Sequence, residues 1–80
     1  MVRTVQQVTA SGYLTAAERR AIKFAAVLEL NEGSMGEQAA IAATCEMFNI
    51  DYEDYPEMMM ELPDGDWWEL EELPVRGEVR

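Results

Sequence analysis

Asp51–Leu73 reads DYEDYPEMMMELPDGDWWELEEL. Ten of these residues are acidic and none is basic, yet three consecutive methionines and two adjacent tryptophans sit among the charges. Carboxylates favour water, while Met and Trp favour burial, so the fold depends on how one backbone separates them. Read by alternation, Met58, Met60 and Leu62 point one way and Glu57 and Glu61 the other, with Met59 the exception. Asp64 and Gly65 supply turn chemistry. Beyond them Trp68 and Leu70 share one face, and Trp67, Glu69 and Glu71 share the other. A period of two predicts a half-buried β-hairpin, with Pro63 and Pro74 bracketing runs of strand length. The rival reading is helical: Asp54 ahead of Pro56 and Glu57 is a helix start, and Asp66 with Glu69 caps a second helix.

Upstream, two helices are predicted. Thr15 with Glu18 is a capping box that satisfies two orphan backbone donors, and Ala17, Ala21, Phe24, Ala25 and Leu28 follow on one face. Asn31 or Gly33 is the expected stop. Ser34 with Glu37 repeats the pattern, with Ile41, Cys45 and Phe48 as the apolar stripe and Asn49 as the stop. Two such helices joined by about four residues fold into an antiparallel hairpin. Val2, Val5 and Val8 suit either a short strand or a helix start before Ser11-Gly12 breaks the pattern. The expected fold is therefore one small α+β domain over residues 1–80, a helical hairpin (15–49) packed on a C-terminal β-hairpin, with a possible N-terminal strand. An all-α small bundle is the alternative. Ile22, Phe24, Leu28, Ile41, Cys45, Phe48, Met58, Met60 and Trp68 are the expected core.

At 80 residues with 49% apolar content the chain is a small globular protein, with little surface to bury. Its formal net charge of −10 is the outlier. Arg3, Arg19, Arg20 and Lys23 lie early and Arg76 and Arg80 at the end, while fourteen acids and no base fall between Phe24 and Val75. Such a surface repels nucleic acid and anionic membranes and attracts basic protein surfaces. Residues 1–15 contain no continuous apolar run of the signal-peptide kind, and no apolar run reaches membrane-spanning length. The lone Cys45 suits a reducing cytoplasm and reads as a small buried hydrophobe.

Few chemistries fit. Without histidine, the commonest general base and metal ligand is missing, and one cysteine cannot build a structural zinc site. With Gly65 at the sixth position of a calcium loop, Met60 and Leu62 fall where ligands belong, so the loop fails. No phosphate-binding glycine loop occurs. The second helix carries no Lys or Arg for DNA phosphates, which argues against a helix-turn-helix role. Arg19, Arg20 and Lys23 read as a solvated face or as ion-pair partners of the acidic half. No enzyme, cofactor or metal is expected.

In size, charge and lack of catalytic groups, the chain resembles the small acidic inhibitors that phages and mobile elements direct at host nucleases, the anti-CRISPR and anti-restriction proteins, several of which mimic DNA. The resemblance covers gross properties of the whole chain and carries no fold. It implies a non-enzymatic protein in a bacterial host cytoplasm, monomer or homodimer, that occupies the basic surface of a nuclease or CRISPR effector. On strands, alternate carboxylates repeat at about 6.5–7 Å, a ladder that suits a Lys/Arg-lined cleft. The expected partner-binding residues are Glu53, Asp54, Glu57, Glu61, Asp64, Asp66, Glu69, Glu71 and Glu72, with Trp67 as an exposed apolar anchor. The competing expectation is an antitoxin, adaptor or assembly subunit docking through exposed Met59 and Trp67 and the helix surface.

Overall fold

A computed structural model describes residues 2–76, and its chain opens with a helix rather than a strand. Thr4 and Gln7 form a capping box: Thr4 Oγ1 accepts from the Gln7 N–H at 3.1 Å, and Gln7 Oε1 accepts from the Thr4 N–H at 2.9 Å. Helix α1 (Val5–Ser11) starts there and ends at Gly12.

Helix α2 (Ala16–Met35) starts on the Thr15/Glu18 capping box, as the pattern predicts. It does not stop at Asn31 or Gly33. It continues through Ser34, whose hydroxyl donates to the Asn31 carbonyl inside the helix, so Ser34 caps nothing. The break comes at Gly36, with φ 85° and ψ 168°, a conformation that side-chain-bearing residues avoid. Gly36 alone joins α2 to α3 (Glu37–Met47), so the connection is one residue rather than four. The two helices fold back on each other. Phe24 meets Phe48 edge-on at 5.3 Å, and Asn31 Nδ2 donates to Thr44 Oγ1 at 2.9 Å. Asn49, at φ 57°, ends α3 as expected. The Asn49 and Ile50 N–H groups reach back to the Glu46 and Cys45 carbonyls at 3.2 and 2.9 Å, the paired bonds of a left-handed helix stop.

The predicted C-terminal β-hairpin is absent, and with it the α+β class. The described residues contain four α-helices and no strand. After a 3-10 turn at Tyr52–Asp54 comes α4 (Tyr55–Met59), with Pro56 in its first turn, where a missing N–H costs nothing. Two more turn bonds, Glu61 N–H to Met58 O and Leu62 N–H to Met59 O, extend the helical winding. The half-buried residues are Tyr55, Met58, Met59 and Leu62, spaced i, i+3, i+4, i+7. Alternation had placed Met60 in the core and Met59 outside. Instead Met60 is 67% exposed, and Met59 packs inward. A second 3-10 turn covers Trp67–Leu70. There Trp67 and the buried Leu70 face the core while Trp68 is 55% exposed, so the expected roles of the two tryptophans are exchanged.

No hairpin forms at Asp64-Gly65 because its backbone is committed elsewhere. Asp64 donates to the Arg3 carbonyl at 3.0 Å and accepts from the Val5 N–H at 2.8 Å, an isolated parallel bridge centred on Thr4 and Asp64. Gly65, at φ 113°, lies so close to Val5 that an added Cβ would stand 3.1 Å from its side chain. A second isolated bridge joins Leu14 to Val75: Leu14 donates to Pro74 O at 2.9 Å, and Arg76 donates to Leu14 O at 2.8 Å. Arg80 lies outside the described residues.

Two apolar clusters share α2 as a wall. Phe24, Leu28, Ala40, Ile41 and Cys45 form the first, with Phe48, Ile50, Tyr55, Met58 and Met59 against it. Val8, Leu14, Ile22 and Leu70 form the second, with Val5, Leu62, Trp67 and Leu73 against it. Of the expected core, Ile22, Phe24, Leu28, Ile41 and Cys45 are buried, and Phe48 and Met58 are half-buried. One ion pair ties the N-terminal segment to α2. The Arg3 guanidinium holds both oxygens of the buried Glu18 carboxylate, Nε to Oε2 at 2.8 Å, and also donates to Ser11 Oγ and Tyr13 O. The Arg3 hydrogen bond holds the Glu18 carboxyl below its usual pKa range against the opposing effect of burial. Among the described residues, no helix is long and apolar enough to cross a membrane.

Candidate functional site

All ten carboxylate side chains from Asp51 to Glu72 are exposed, and among the described residues none is in an ion pair. They stand on α4, on the two 3-10 turns and on the loops between, so they do not form the strand-borne ladder that alternation predicts. Helical winding sorts them into separate groups. Asp51, Asp54, Glu57 and Glu61 fall three, three and four residues apart and line one open groove of about 570 Å³. Ala17, Ile50 and Met58 also line it, together with Arg20 from α2. Asp64, Asp66 and Glu69 line a second groove of about 390 Å³ beside Thr4, Val5 and Gln6 at the start of α1. Glu71 lies beside Arg19, Ile22 and Lys23. Glu53 and Glu72 are exposed and line neither groove.

Of the expected binding residues, the structure thus brings together Asp54, Glu57 and Glu61 in one place, and Asp64, Asp66 and Glu69 in another. Trp67 is not the exposed anchor, since it is half-buried in the second cluster. The expected binding residues omitted Asp51 in the first groove and Trp68 on the second 3-10 turn; Arg20, expected on a solvated face or as an ion-pair partner of the acidic half, lines that groove but makes no ion pair with it among the described residues. The signal for Asp51 was present: its spacing to Asp54, Glu57 and Glu61 is the polar complement of the Tyr55, Met58, Met59, Leu62 stripe. No comparable spacing identifies Arg20, which comes from a helix remote in sequence.

The basic residues of α2 do different things. Arg19 donates to the main chain, to Glu71 O at 3.2 Å and to Leu73 O, and so fastens the acidic segment to α2 through carbonyls rather than carboxylates. Arg20 and Lys23 remain exposed. With Arg19, Ala16, Phe48 and Val75 they line a groove of about 380 Å³, so the two signs of charge meet at Arg20. Arg76 lies over the Tyr13 ring, 5.5 Å from its centroid, on a ring that Arg3 also approaches at 5.4 Å.

Among the described residues, no three Cys, Asp or Glu side chains converge to hold a metal ion. Cys45 is buried in the first cluster, and burial pushes its thiol pKa up, away from the thiolate that a nucleophile needs. The arrangement offers fixed, solvated negative charge and two exposed aromatic rings, Tyr52 and Trp68. No protein-family model, curated protein or solved structure matches the chain.

Proposed function

We propose that this is a non-enzymatic binding protein whose acidic half, Asp51–Glu72, occupies a basic surface on a nucleic-acid-binding partner such as a defence nuclease. The observation that carries the reading is ten exposed carboxylates, free of ion pairs among the described residues, on a backbone plugged into two cores. Carboxylates on a free tail lose conformational entropy when a partner orders them. Carboxylates on a packed segment are already placed, and an unpaired one loses no internal partner on binding. Docking of this kind gains its speed from long-range attraction, and its strength falls with salt.

The test is capture on the immobilised protein from a host lysate at about 0.1 M and about 1 M salt, with the wild type and the Glu69→Lys, Glu71→Lys, Glu72→Lys triple variant. Bound protein should be released by salt, be lost with the triple variant, and compete with nucleic acid for the same partner. A complex that survives both the salt and the charge reversal would sink the reading. Such an outcome would favour an adaptor or antitoxin docking through apolar side chains, for which Leu30, Met35 and Met47 along α2 and α3, all exposed, are the observation in favour.

A further inference from the structure

Two grooves of opposite charge lie side by side along the first two turns of α2. The larger is lined by Asp51, Asp54, Glu57 and Glu61, and by Arg20. The smaller is lined by Arg19, Arg20 and Lys23, and among the described residues no carboxylate lines it. Arg20 therefore stands on their common border. Among the described residues none of these seven side chains is in an ion pair. Arg20 borders four carboxylates and bonds to none of them. Arg19 gives its hydrogen bonds to the Glu71 and Leu73 carbonyls, and its buried Nε has no acceptor among the described residues. Each groove also has half-buried apolar side chains, Ile50 and Met58 in the first and Phe48 and Val75 in the second. Ala17 lines the first and Ala16 the second, both small and exposed, so another surface can come close to α2 there.

We infer that this face pairs with the same face of a second copy of this chain, about a two-fold axis near Arg20. A two-fold interface sets one patch against itself reversed. Because Arg20 belongs to both grooves, the rotation that lays the acidic groove on the partner's basic groove also lays the basic groove on the partner's acidic one. A wholly basic surface would suit the first groove and be repelled by Arg20 and Lys23 beside it, and a wholly acidic one the reverse. A second copy suits both. The face carries four negative charges against three positive, a net −1. The rest of each copy carries −9, the −10 of the chain less the −1 of this face, and repels its partner at long range. Salt screens that repulsion before it screens the contacts, since the Debye length is about 30 Å at 0.01 M and about 8 Å at 0.15 M. Pairing should therefore strengthen up to about 0.15 M salt and weaken again toward about 1 M. The inference goes beyond the reading above and does not depend on it. Pairing covers Asp54, Glu57 and Glu61 and leaves Glu69, Glu71 and Glu72 outside, so a second copy and a basic partner compete for part of the acidic half.

Sedimentation equilibrium of the full chain tests this. The wild-type mass should rise from 9.1 kDa toward twice that value with concentration, most steeply near about 0.15 M salt. Arg20→Glu with Lys23→Glu turns the face strongly acidic, and Glu57→Lys with Glu61→Lys turns it net basic. All four positions are exposed. Each double variant should pair with itself roughly 10-fold more weakly or worse, because every reversal acts twice across a two-fold interface. Mixed in equal amounts, the two should recover a heterodimer, a result that loss of folding in either variant would not give. The Glu69→Lys, Glu71→Lys, Glu72→Lys variant should pair at least as well as the wild type, so it reports on the basic partner alone. A wild type that stays monomeric at every salt, double variants that pair as the wild type does, or a mixture that stays monomeric would each overturn the inference and leave the charge-steered reading standing.

Discussion

The helical pair α2–α3 and the acidic segment 51–73 are held in place by different means. In α2–α3 most backbone groups bond within their own helix, the starts and stops are local, and the buried face is continuous from Phe24 through Ile41 to Cys45. The acidic segment has one five-residue helix, two 3-10 turns and loops. It is held by side chains inserted into cores it does not own, Tyr55, Met58 and Met59 into one and Leu62, Trp67 and Leu70 into the other. It is also held by hydrogen bonds that the Arg19 guanidinium donates to its carbonyls and by main-chain bonds exchanged with Arg3 and Val5. A dense array of like charges cannot supply its own cohesion. Here the cohesion comes from neighbours, and the charge is left facing water.

Removing an apolar group from each core tests that contrast. Phe24 touches both regions, since it meets Phe48 edge-on and stacks with Tyr55 at 6.2 Å. Phe24→Ala should cost about 3–5 kcal/mol, a large share of the stability of a small domain, and urea melts should show both regions failing in one transition. Leu70 belongs to the second core alone. Leu70→Ala should cost about 2–5 kcal/mol, and hydrogen exchange should show the loss concentrated in α1 and Trp67–Leu70, with α3 largely protected. Equal loss of protection across α3 would mean that the acidic segment is as firmly built as the helical pair.

The same contrast sets what could be read from the sequence. Where structure is local, much of the reading held: the Thr15/Glu18 cap, the burial of Phe24, Leu28, Ile41 and Cys45, and the stop at Asn49 follow from neighbours within a turn or two, although the equally local stop at Asn31 or Gly33 and the Ser34 cap did not hold. Where neighbours are remote, it failed. Three methionines in a row satisfy period 2 and period 3.6 alike, and only the half-buried Tyr55 and Leu62 at either end show that the helical period governs. Asp64-Gly65 has hairpin chemistry, but its backbone bonds go to Arg3 and Val5, about sixty residues upstream. The exchange of Trp67 and Trp68 follows directly, because a strand and a 3-10 turn that both bury Leu70 bury opposite tryptophans. The acidic character of the candidate surface was legible from composition. Its division into two grooves required the winding.

The ion pair between the N-terminal segment and α2 sharpens the comparison, because it is a charge interaction outside the acidic segment that does contribute cohesion. Arg3→Ala removes charge-assisted hydrogen bonds from a buried carboxylate and should cost roughly 1.5–3 kcal/mol at neutral pH. The Glu18 carboxyl titrates lower in the folded chain than its usual 4.5. Its stabilisation is therefore complete above that value and is lost as pH falls through the lowered folded value. Self-repulsion among the surface acids changes with the opposite sign, easing as the −10 charge shrinks. Denaturation of wild type and Arg3→Ala across pH separates the two, since repulsion is common to both proteins. Their stability difference should be constant from pH 7 down to about 4.5 and shrink below it. A difference independent of pH throughout would mean that Arg3 contributes through packing on Tyr13 rather than through Glu18.

The smallest effect concerns two positions whose sequence patterns look alike. Thr4 and Ser34 each begin a three-residue step to Gln7 or Glu37, though of the two only Ser34 is predicted as a cap. Thr4 does cap α1, and its backbone sits between the residues that hold Asp64, so it serves the acidic segment as well as its own helix. Thr4→Ala should cost about 1 kcal/mol and should loosen the Asp64 amide in hydrogen exchange along with α1. Ser34 is an exposed residue in the last turn of α2, where alanine is the better helix former. Ser34→Ala should be neutral or stabilise by a few tenths of a kcal/mol. The opposite signs follow from Gly36: its positive-φ, extended backbone separates the helices, and α3 starts without a side-chain cap, which leaves Ser34 inside the preceding helix. Measured losses of equal size at the two positions would show that α2 ends before Ser34 in solution, and that the one-residue link between the helices is wrong.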